Sequence, residues 1–214
     1  MAELPLQIVP QNTINDMRGP IARDIIGWND IAGPATQGAG AAALTEEPYL
    51  ATSFRMLFFR HDQNDSLSFT YQMSHAWEPG TIVRPHIHVI PMVNPAVTQN
   101  VFLQGQYVWG ITGQPLPDVA GWTAFDVTYP ITTAAALIPE VIDLTGGVGF
   151  TPPALAVESS FLLVFIQRSG TNVLDTYSTN KPGPGTAAAN LAVLSFDCHF
   201  QTVKPGGSQT ELHG

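Results

Sequence analysis

The chain has 214 residues, of which 8 are Lys or Arg and 17 are Asp or Glu, so its formal net charge at pH 7 is -9. Its 19 glycines and 18 prolines exclude a helical bundle, because both residues are costly inside helices. Only 12% of the residues are charged and 44% are hydrophobic; this excludes a disordered chain, and the shortage of Lys and Arg argues against binding to nucleic acid.

The first predicted element is an extended N-terminal arm over residues 1–48. It contains four prolines and a run of small residues, and it has no strand pattern of more than a few residues. We interpret it as an arm that packs on the body of the protein or on a neighbouring subunit, followed by a β-sandwich domain over residues 49–214. No signal peptide and no apolar run of membrane-spanning length are visible, so we expect a protein made in the cytoplasm that contacts no membrane.

From residue 50 onward the sequence has the period of two that is typical of strands with one buried face. In residues 66–73 the apolar side chains stand at the odd positions, and residues 194–200 alternate in the same way, with Leu194 and Phe196 on the apolar side. Residues 61–65 predict a turn that joins the first two strands as a hairpin. Strands are predicted at 51–60, 66–73, 83–90, 101–109, 124–129, 160–168 and 192–203. This pattern, with loops rich in glycine and proline, predicts an all-β fold: an antiparallel, jelly-roll-like β-sandwich.

The densest polar cluster lies in the third predicted strand. There Arg84, His86 and His88 project to one face, and two imidazoles side by side suit zinc, iron or nickel. The spacing also matches the start of the cupin metal motif, but Met92 and Val93 stand where that motif has its glutamate. We therefore interpret the three side chains as a polar layer or as part of a subunit contact, and predict no metal site.

His199 is a further candidate metal ligand or catalytic base, because it shares a predicted strand face with Asp197 and a carboxylate orients an imidazole. Such a pair is more often solvated or part of an interface, and no common nucleophile or phosphate-binding motif is present. We therefore predict no catalytic residue, no cofactor and no enzymatic activity. The alternative is a cupin-like metalloenzyme that uses His86 and His88 with His75 or His199 as a third ligand.

The shortage of charge predicts that part of the surface is buried against other subunits. The aromatic residues either stack on sugars or anchor the core and interfaces, and we favour the second interpretation. The single cysteine, Cys198, excludes an internal disulfide and is predicted to be an inert core thiol. The residues predicted to line an interface are Trp28, Trp77, Arg84, His86, His88 and Trp109.

The segment Q-M-S-H-A-W-E-P-G-T at 72–81, followed by R-P-H-I-H at 84–88, resembles a signature of small structural proteins of tailed-bacteriophage virions. Shorter matches appear in the same order as in the signature, at 28–30 before this segment and at 107–109, 175–177 and 194–200 after it. This chain departs from the signature at Ser74, where proline is expected, and at Val89, where tryptophan is expected.

The resemblance implies a virion component and carries over no catalytic residue. Together with the composition it favours a capsid cement or decoration protein, with a tail fibre, spike or adaptor as the alternative. We expect a homo-oligomer, a trimer, whose partners are the major capsid protein or other virion proteins.

Overall fold

The predicted β-sandwich is confirmed. The computed structural model describes residues 27–32, 35–37, 45–177 and 189–202, which form eleven strands in two antiparallel sheets. The strands are β1 (Gly27–Ala32), β2 (Ala35–Gln37), β3 (Thr45–Pro48), β4 (Arg55–Phe59), β5 (Ser66–Gln72), β6 (Val83–Pro91), β7 (Gln99–Gly110), β8 (Thr123–Ile131), β9 (Glu140–Asp143), β10 (Phe161–Arg168) and β11 (Leu191–Thr202). Two 3₁₀ helices, Tyr49–Ala51 and Val119–Gly121, complete the described elements, and no helix among them is long and apolar enough to cross a membrane.

The order of the strands is that of a jelly roll. Sheet A has the order β3-β4-β11-β6-β9, with β1 also paired to β11, and sheet B has the order β2-β5-β10-β7-β8. Counted from β4, the strands of sheet A are the first, eighth, third and sixth, and those of sheet B are the second, seventh, fourth and fifth. The chain therefore crosses repeatedly between the sheets, which is the connectivity of a double-sheet jelly roll.

The predicted hairpin between the first two strands is wrong. β4 pairs with β3 and β11 in sheet A, whereas β5 pairs with β2 and β10 in sheet B. Residues 61–65 do turn the chain, but they carry it from one sheet to the other. Buried Asp65 stabilises the connection between the sheets. Its Oδ2 accepts hydrogen bonds from the backbone N of Arg60 at 2.7 Å and from Nε of the same residue at 2.9 Å. Turn residues predict where a chain reverses but not which strand it pairs with next.

The predicted N-terminal arm contributes strands to both sheets. β1 pairs with β11, β2 with β5 and β3 with β4, so each adds to a strand of the sandwich. These strands are short and lack clear alternation, which is why the sequence pattern did not reveal them. The boundary between arm and sandwich stays a prediction, and residues 1–26 of the arm lie outside the described part of the chain.

The core lies between the two sheets and follows the predicted alternation. Leu67, Phe69 and Tyr71 of β5 are buried, as the odd positions of that strand predict. Phe69 stacks on Phe196 of β11, with 4.4 Å between the ring centroids, so the two sheets meet through these rings. Leu194 departs from the prediction and is 46% exposed, because a β-bulge between residues 193 and 195 reverses its direction.

Two tryptophans predicted to line an interface belong to the core instead. Trp77 is 0% exposed and Trp109 is 5% exposed, and their rings stack with centroids 5.5 Å apart. Side chains this deeply buried have no surface to offer a partner or a sugar. The physical reason is that large aromatic side chains gain the most free energy from burial, so these two rings fill the interior of the domain.

Replacing Gly105 with alanine is expected to destabilise the protein by about 1–3 kcal/mol, because the new methyl group overpacks the core. A Cβ at this position of β7 would collide with the carbonyl oxygen of Phe165 and the ring of Phe125. Denaturant unfolding measures the loss. Gly110→Ala on the same strand is the control, because its Cβ would first meet a flexible Leu116 methyl at 3.3 Å. An equal loss in both variants would contradict the explanation.

A candidate histidine–aspartate site on the outer face

Strand β6 places two histidines on the outer face of sheet A. Val83, Ile87 and Val89 are 0% exposed and point into the core. Side chains of a strand alternate between its two faces, so the even positions 84, 86 and 88 point outward. His86 and His88 are therefore on the same outer face, as the sequence predicts. The alternation that puts apolar side chains in the core thus also sets two imidazoles next to each other.

Strand β11 brings a carboxylate to this pair. β11 pairs antiparallel with β6, and Asp197 stands opposite His86 in the register. Its neighbours Phe196 and Cys198 are buried, so Asp197 shares the outer face with the two histidines. The sequence shows the alternation of each strand, but the register that joins them exists only in the folded sheet.

The three side chains converge on one small volume. Oδ1 of Asp197 lies 3.0 Å from Nε2 of His86 and 3.2 Å from Nε2 of His88. One ligand atom from each residue lies within 4.8 Å of the other two. The side chain of His86 is 9% exposed, that of Asp197 18% and that of His88 29%, so solvent reaches the group from the His88 side. We call these three residues the His–Asp cluster.

The carboxylate oxygen at the centre of the His–Asp cluster is not satisfied by the protein. Oδ1 of Asp197 is fully enclosed, yet among the described residues no N–H or O–H group is directed at it well enough to form a hydrogen bond. The two short distances to imidazole nitrogens are therefore close approaches with poor donor direction. An enclosed carboxylate oxygen with no well-directed hydrogen bond is costly, and a cation held between the three side chains would offset that cost.

Neither predicted third ligand belongs to the cluster. His199 lies beside it, with its ring centroid 4.3 Å from that of His86, but the cluster's third member is Asp197. His75 is exposed in the loop before β6, where its Nε2 lies 3.4 Å from Oγ of Ser159. Asp197 was expected to pair with His199 because both lie on the same strand, β11. Its contact with the β6 histidines depends on the β6–β11 register, which no local sequence pattern shows.

Two further charged residues lie around the cluster. Asp143 of β9 stands opposite His86 on the other side of β6, and its Oδ1 accepts hydrogen bonds from N and Oγ1 of Thr145 at 2.8 and 2.9 Å. Oδ1 of Asp143 thus bonds within the turn that follows β9. Arg84 is exposed two residues before His86 and stands opposite His199.

Trp28, also predicted to line an interface, lies on β1 and stands opposite Gln201 of β11 in the register.

Cys198 is not available as a ligand or a nucleophile. Its side chain points into the core, and burial, with the negative charge of Asp197 as a smaller cause, raises the pKa of the thiol well above its usual value. The thiol therefore stays protonated at neutral pH, and a protonated thiol neither attacks nor binds metal.

A second notable surface is the outer face of sheet B. Strands β5, β7 and β10 lie wholly within the described residues, and their only charged side chain, Arg168, is 0% exposed. Phe161 is 39% exposed, and Gln104 and Gln167 are joined across the strands by a 3.0 Å hydrogen bond. A shallow groove of about 500 Å³ runs over Phe165, with Asp126 of β8 at its rim. We call the outward side chains of β5, β7 and β10 the uncharged face.

Comparison with known proteins adds no function. No family model matches the sequence, and no curated protein is significantly similar to it. Among solved structures, TmCBM61 in complex with β-1,4-galactotriose matches with a TM-score of 0.32 and 10% identity, over 81% of this chain and 88% of that one. A family 11 carbohydrate-binding module from Clostridium thermocellum, in complex with a mixed-linked tetrasaccharide, has a TM-score of 0.33 and 6% identity, over 83% and 91%. Neither likeness transfers a ligand or an activity to this chain.

Proposed function

We propose that this chain is a non-catalytic structural protein of a tailed-bacteriophage virion, a capsid decoration protein that works through contacts between subunits. The observation that carries the proposal is the uncharged face. Exposed surfaces of soluble monomers normally carry charges of both signs, whereas the centres of interfaces are depleted in charge. A sheet face of three adjacent strands without an exposed charge is therefore suited to contact another protein surface.

The partner that fits the uncharged face is a second copy of this chain. Each copy carries a formal charge of -9, so two copies repel wherever their charged surfaces approach each other. A contact through the uncharged face avoids this repulsion. Its aromatic side chains, Phe161 and the half-buried Phe165, supply apolar area. Its glutamines can form hydrogen bonds with polar groups of a protein partner.

The expected assembly is a trimer that binds the shell of the particle. This matches the low content of charge in the whole chain and the resemblance of residues 72–88 to phage structural proteins. We propose that this shell is the capsid of the phage head. A density map of an intact particle tests it: density for this protein on the capsid supports a decoration role, and density in the tail favours a fibre, spike or adaptor.

A charge placed on the uncharged face is expected to dissociate the oligomer. Gln106→Glu keeps the size of an exposed side chain and adds one negative charge per copy, and Phe165→Arg removes the adjacent ring opposite it in the register. Light scattering coupled to size-exclusion chromatography should give a trimer for the unmodified chain and smaller species for both variants.

The control for this experiment is Val148→Glu, because Val148 is 73% exposed and follows β9, a strand of sheet A, whereas the uncharged face belongs to sheet B. It adds the same charge and should leave the trimer intact. Circular dichroism establishes that all variants are folded. An unmodified chain that is monomeric at micromolar concentration, or variants that assemble as well as Val148→Glu, would contradict the proposed contact.

A further inference from the structure

We infer that the His–Asp cluster binds a divalent transition-metal ion, with Zn²⁺ as the expected occupant. The ligand atoms are the three that approach one another, Nε2 of His86, Nε2 of His88 and Oδ1 of Asp197. This inference rests on the geometry of the outer face of sheet A and is independent of the proposed virion role. It reverses the prediction, made from the sequence, that these histidines hold no metal.

The two distances from the carboxylate oxygen match the separation of ligands around a tetrahedral zinc ion. Imidazole nitrogens and carboxylate oxygens bind zinc at about 2.0–2.1 Å, so two ligands at the tetrahedral angle lie about 3.3 Å apart. The observed separations from Oδ1 to the two Nε2 atoms are 3.0 and 3.2 Å. The ligand atoms all lie within 4.8 Å of one another, so rotations of the side chains that draw the two nitrogens together would place all three atoms around one ion.

The unsatisfied oxygen gives the second reason. Oδ1 of Asp197 is enclosed by the protein but receives no well-directed hydrogen bond from the described residues. A cation between the three atoms would bind this oxygen and the lone pairs of both nitrogens at once.

The chemistry of the three ligands selects among metals. Two imidazoles and one carboxylate suit zinc and neighbouring transition metals, whereas magnesium and calcium prefer oxygen ligands alone. The cluster supplies three ligands, and the 29% exposure of the His88 side chain leaves a path for the ion and for a water molecule as the fourth. A bound ion would join β6 to β11, which are adjacent inner strands of sheet A.

Zinc binding by the purified full-length chain tests the inference. The chain is stripped of metal with a chelator and titrated with zinc in a calorimeter, and the expected stoichiometry is one ion per chain. Titration with Co²⁺ gives a second measurement, because a tetrahedral site with nitrogen and oxygen ligands produces intense visible absorption bands. Zinc is also expected to raise the melting temperature, since it binds only the folded arrangement.

Asp197→Asn and His88→Ala should each lower the affinity for zinc by about 100-fold or more, because each alters one of three ligands and loss of a mere outer-shell partner already costs about 10- to 100-fold. Asp197→Asn keeps the shape of the side chain, and His88 is half-buried, so both variants are expected to fold. His75→Ala is the matched control, because His75 is exposed outside the cluster, and it should bind zinc like the unmodified chain.

Two results would overturn the inference. One is the absence of stoichiometric zinc binding by the folded, unmodified chain, which would leave the cluster as a hydrogen-bonded polar layer. The other is zinc binding that persists unchanged in both Asp197→Asn and His88→Ala, which would place the ion elsewhere on the chain.

Discussion

Replacing Arg168 with methionine is expected to destabilise the protein by about 3–5 kcal/mol, because it breaks a buried ion pair and leaves one charge without its partner. Arg168 and Asp175 have side chains that are both 0% exposed, and Nε and Nη2 of the guanidinium each lie 2.8 Å from a carboxylate oxygen. Without the guanidinium, the carboxylate of Asp175 would remain in the interior.

The guanidinium also satisfies three backbone carbonyl groups. Nη1 donates to the oxygens of Ala189 and Phe59 at 2.8 and 3.3 Å, and Nη2 donates to the oxygen of Tyr177 at 2.7 Å. With the two bonds to Asp175, all five N–H groups of the side chain are engaged. Methionine fills a similar volume but donates none of these hydrogen bonds, so several buried acceptors lose their partner at once.

Denaturant unfolding of Arg168→Met measures this loss. The control is Arg55→Met, which removes an arginine from a surface ion pair: Nε of Arg55 lies 3.6 Å from Glu46, and the two side chains are 51% and 56% exposed. Such a pair contributes about 0–1 kcal/mol. Similar losses in the two variants would show that the buried network does not stabilise the fold in the way described.

Replacing Phe69 or Phe196 with alanine is expected to cost about 3–5 kcal/mol each, because the change removes a buried ring and leaves a cavity. The two residues are 2% and 1% exposed and come from different sheets. Their rings stack at 4.4 Å, so the cavities left by the two substitutions would merge. The double variant should therefore differ from the sum of the single ones by a measurable coupling energy.

Phe54→Ala is the control for the core substitutions. Phe54 is 65% exposed, and removing an exposed ring usually changes stability by less than about 0.5 kcal/mol. Chemical denaturation of all four variants gives the comparison. If Phe69→Ala and Phe196→Ala unfolded at the same denaturant concentration as Phe54→Ala, the proposed packing of the two sheets through these rings would be wrong.

The sequence predicted the strands and their buried faces better than it predicted their partners. The alternation of Leu67, Phe69 and Tyr71 follows directly from the pleat of a strand, and it assigns the core without any knowledge of the fold. Pairing depends on contacts between distant segments, so the hairpin predicted around 61–65 was wrong. Leu194 was assigned to the wrong face because a bulge depends on the neighbouring strand.

The candidate site was predicted in the same partial way. The sequence placed His86 and His88 on one face of a strand because they are two residues apart. Asp197 is 109 positions from His88 along the chain, and only the pairing of β11 with β6 brings them within 3.2 Å. No local pattern predicts that contact, so the sequence showed two ligands and not the third.

Part of segment 72–81 has a structural role in the fold. Trp77 is fully buried, and its Nε1 donates to Oγ1 of Thr81 at 3.1 Å, while Thr81 donates to the carbonyl oxygen of Glu78 at 2.7 Å. Gly80 has a φ of 86°, which a residue with a side chain rarely adopts. These residues fix the connection from β5 to β6, which leads the chain to the two histidines.

The carbonyl groups held by Arg168 have a consequence for protein engineering. Tyr177 and Ala189 lie at the two ends of segment 178–188, and both are bound to the same guanidinium. One side chain therefore holds two described positions that are twelve residues apart along the chain. Lysine at this position would not replace the arginine, because an ammonium group carries three N–H groups where the guanidinium uses five.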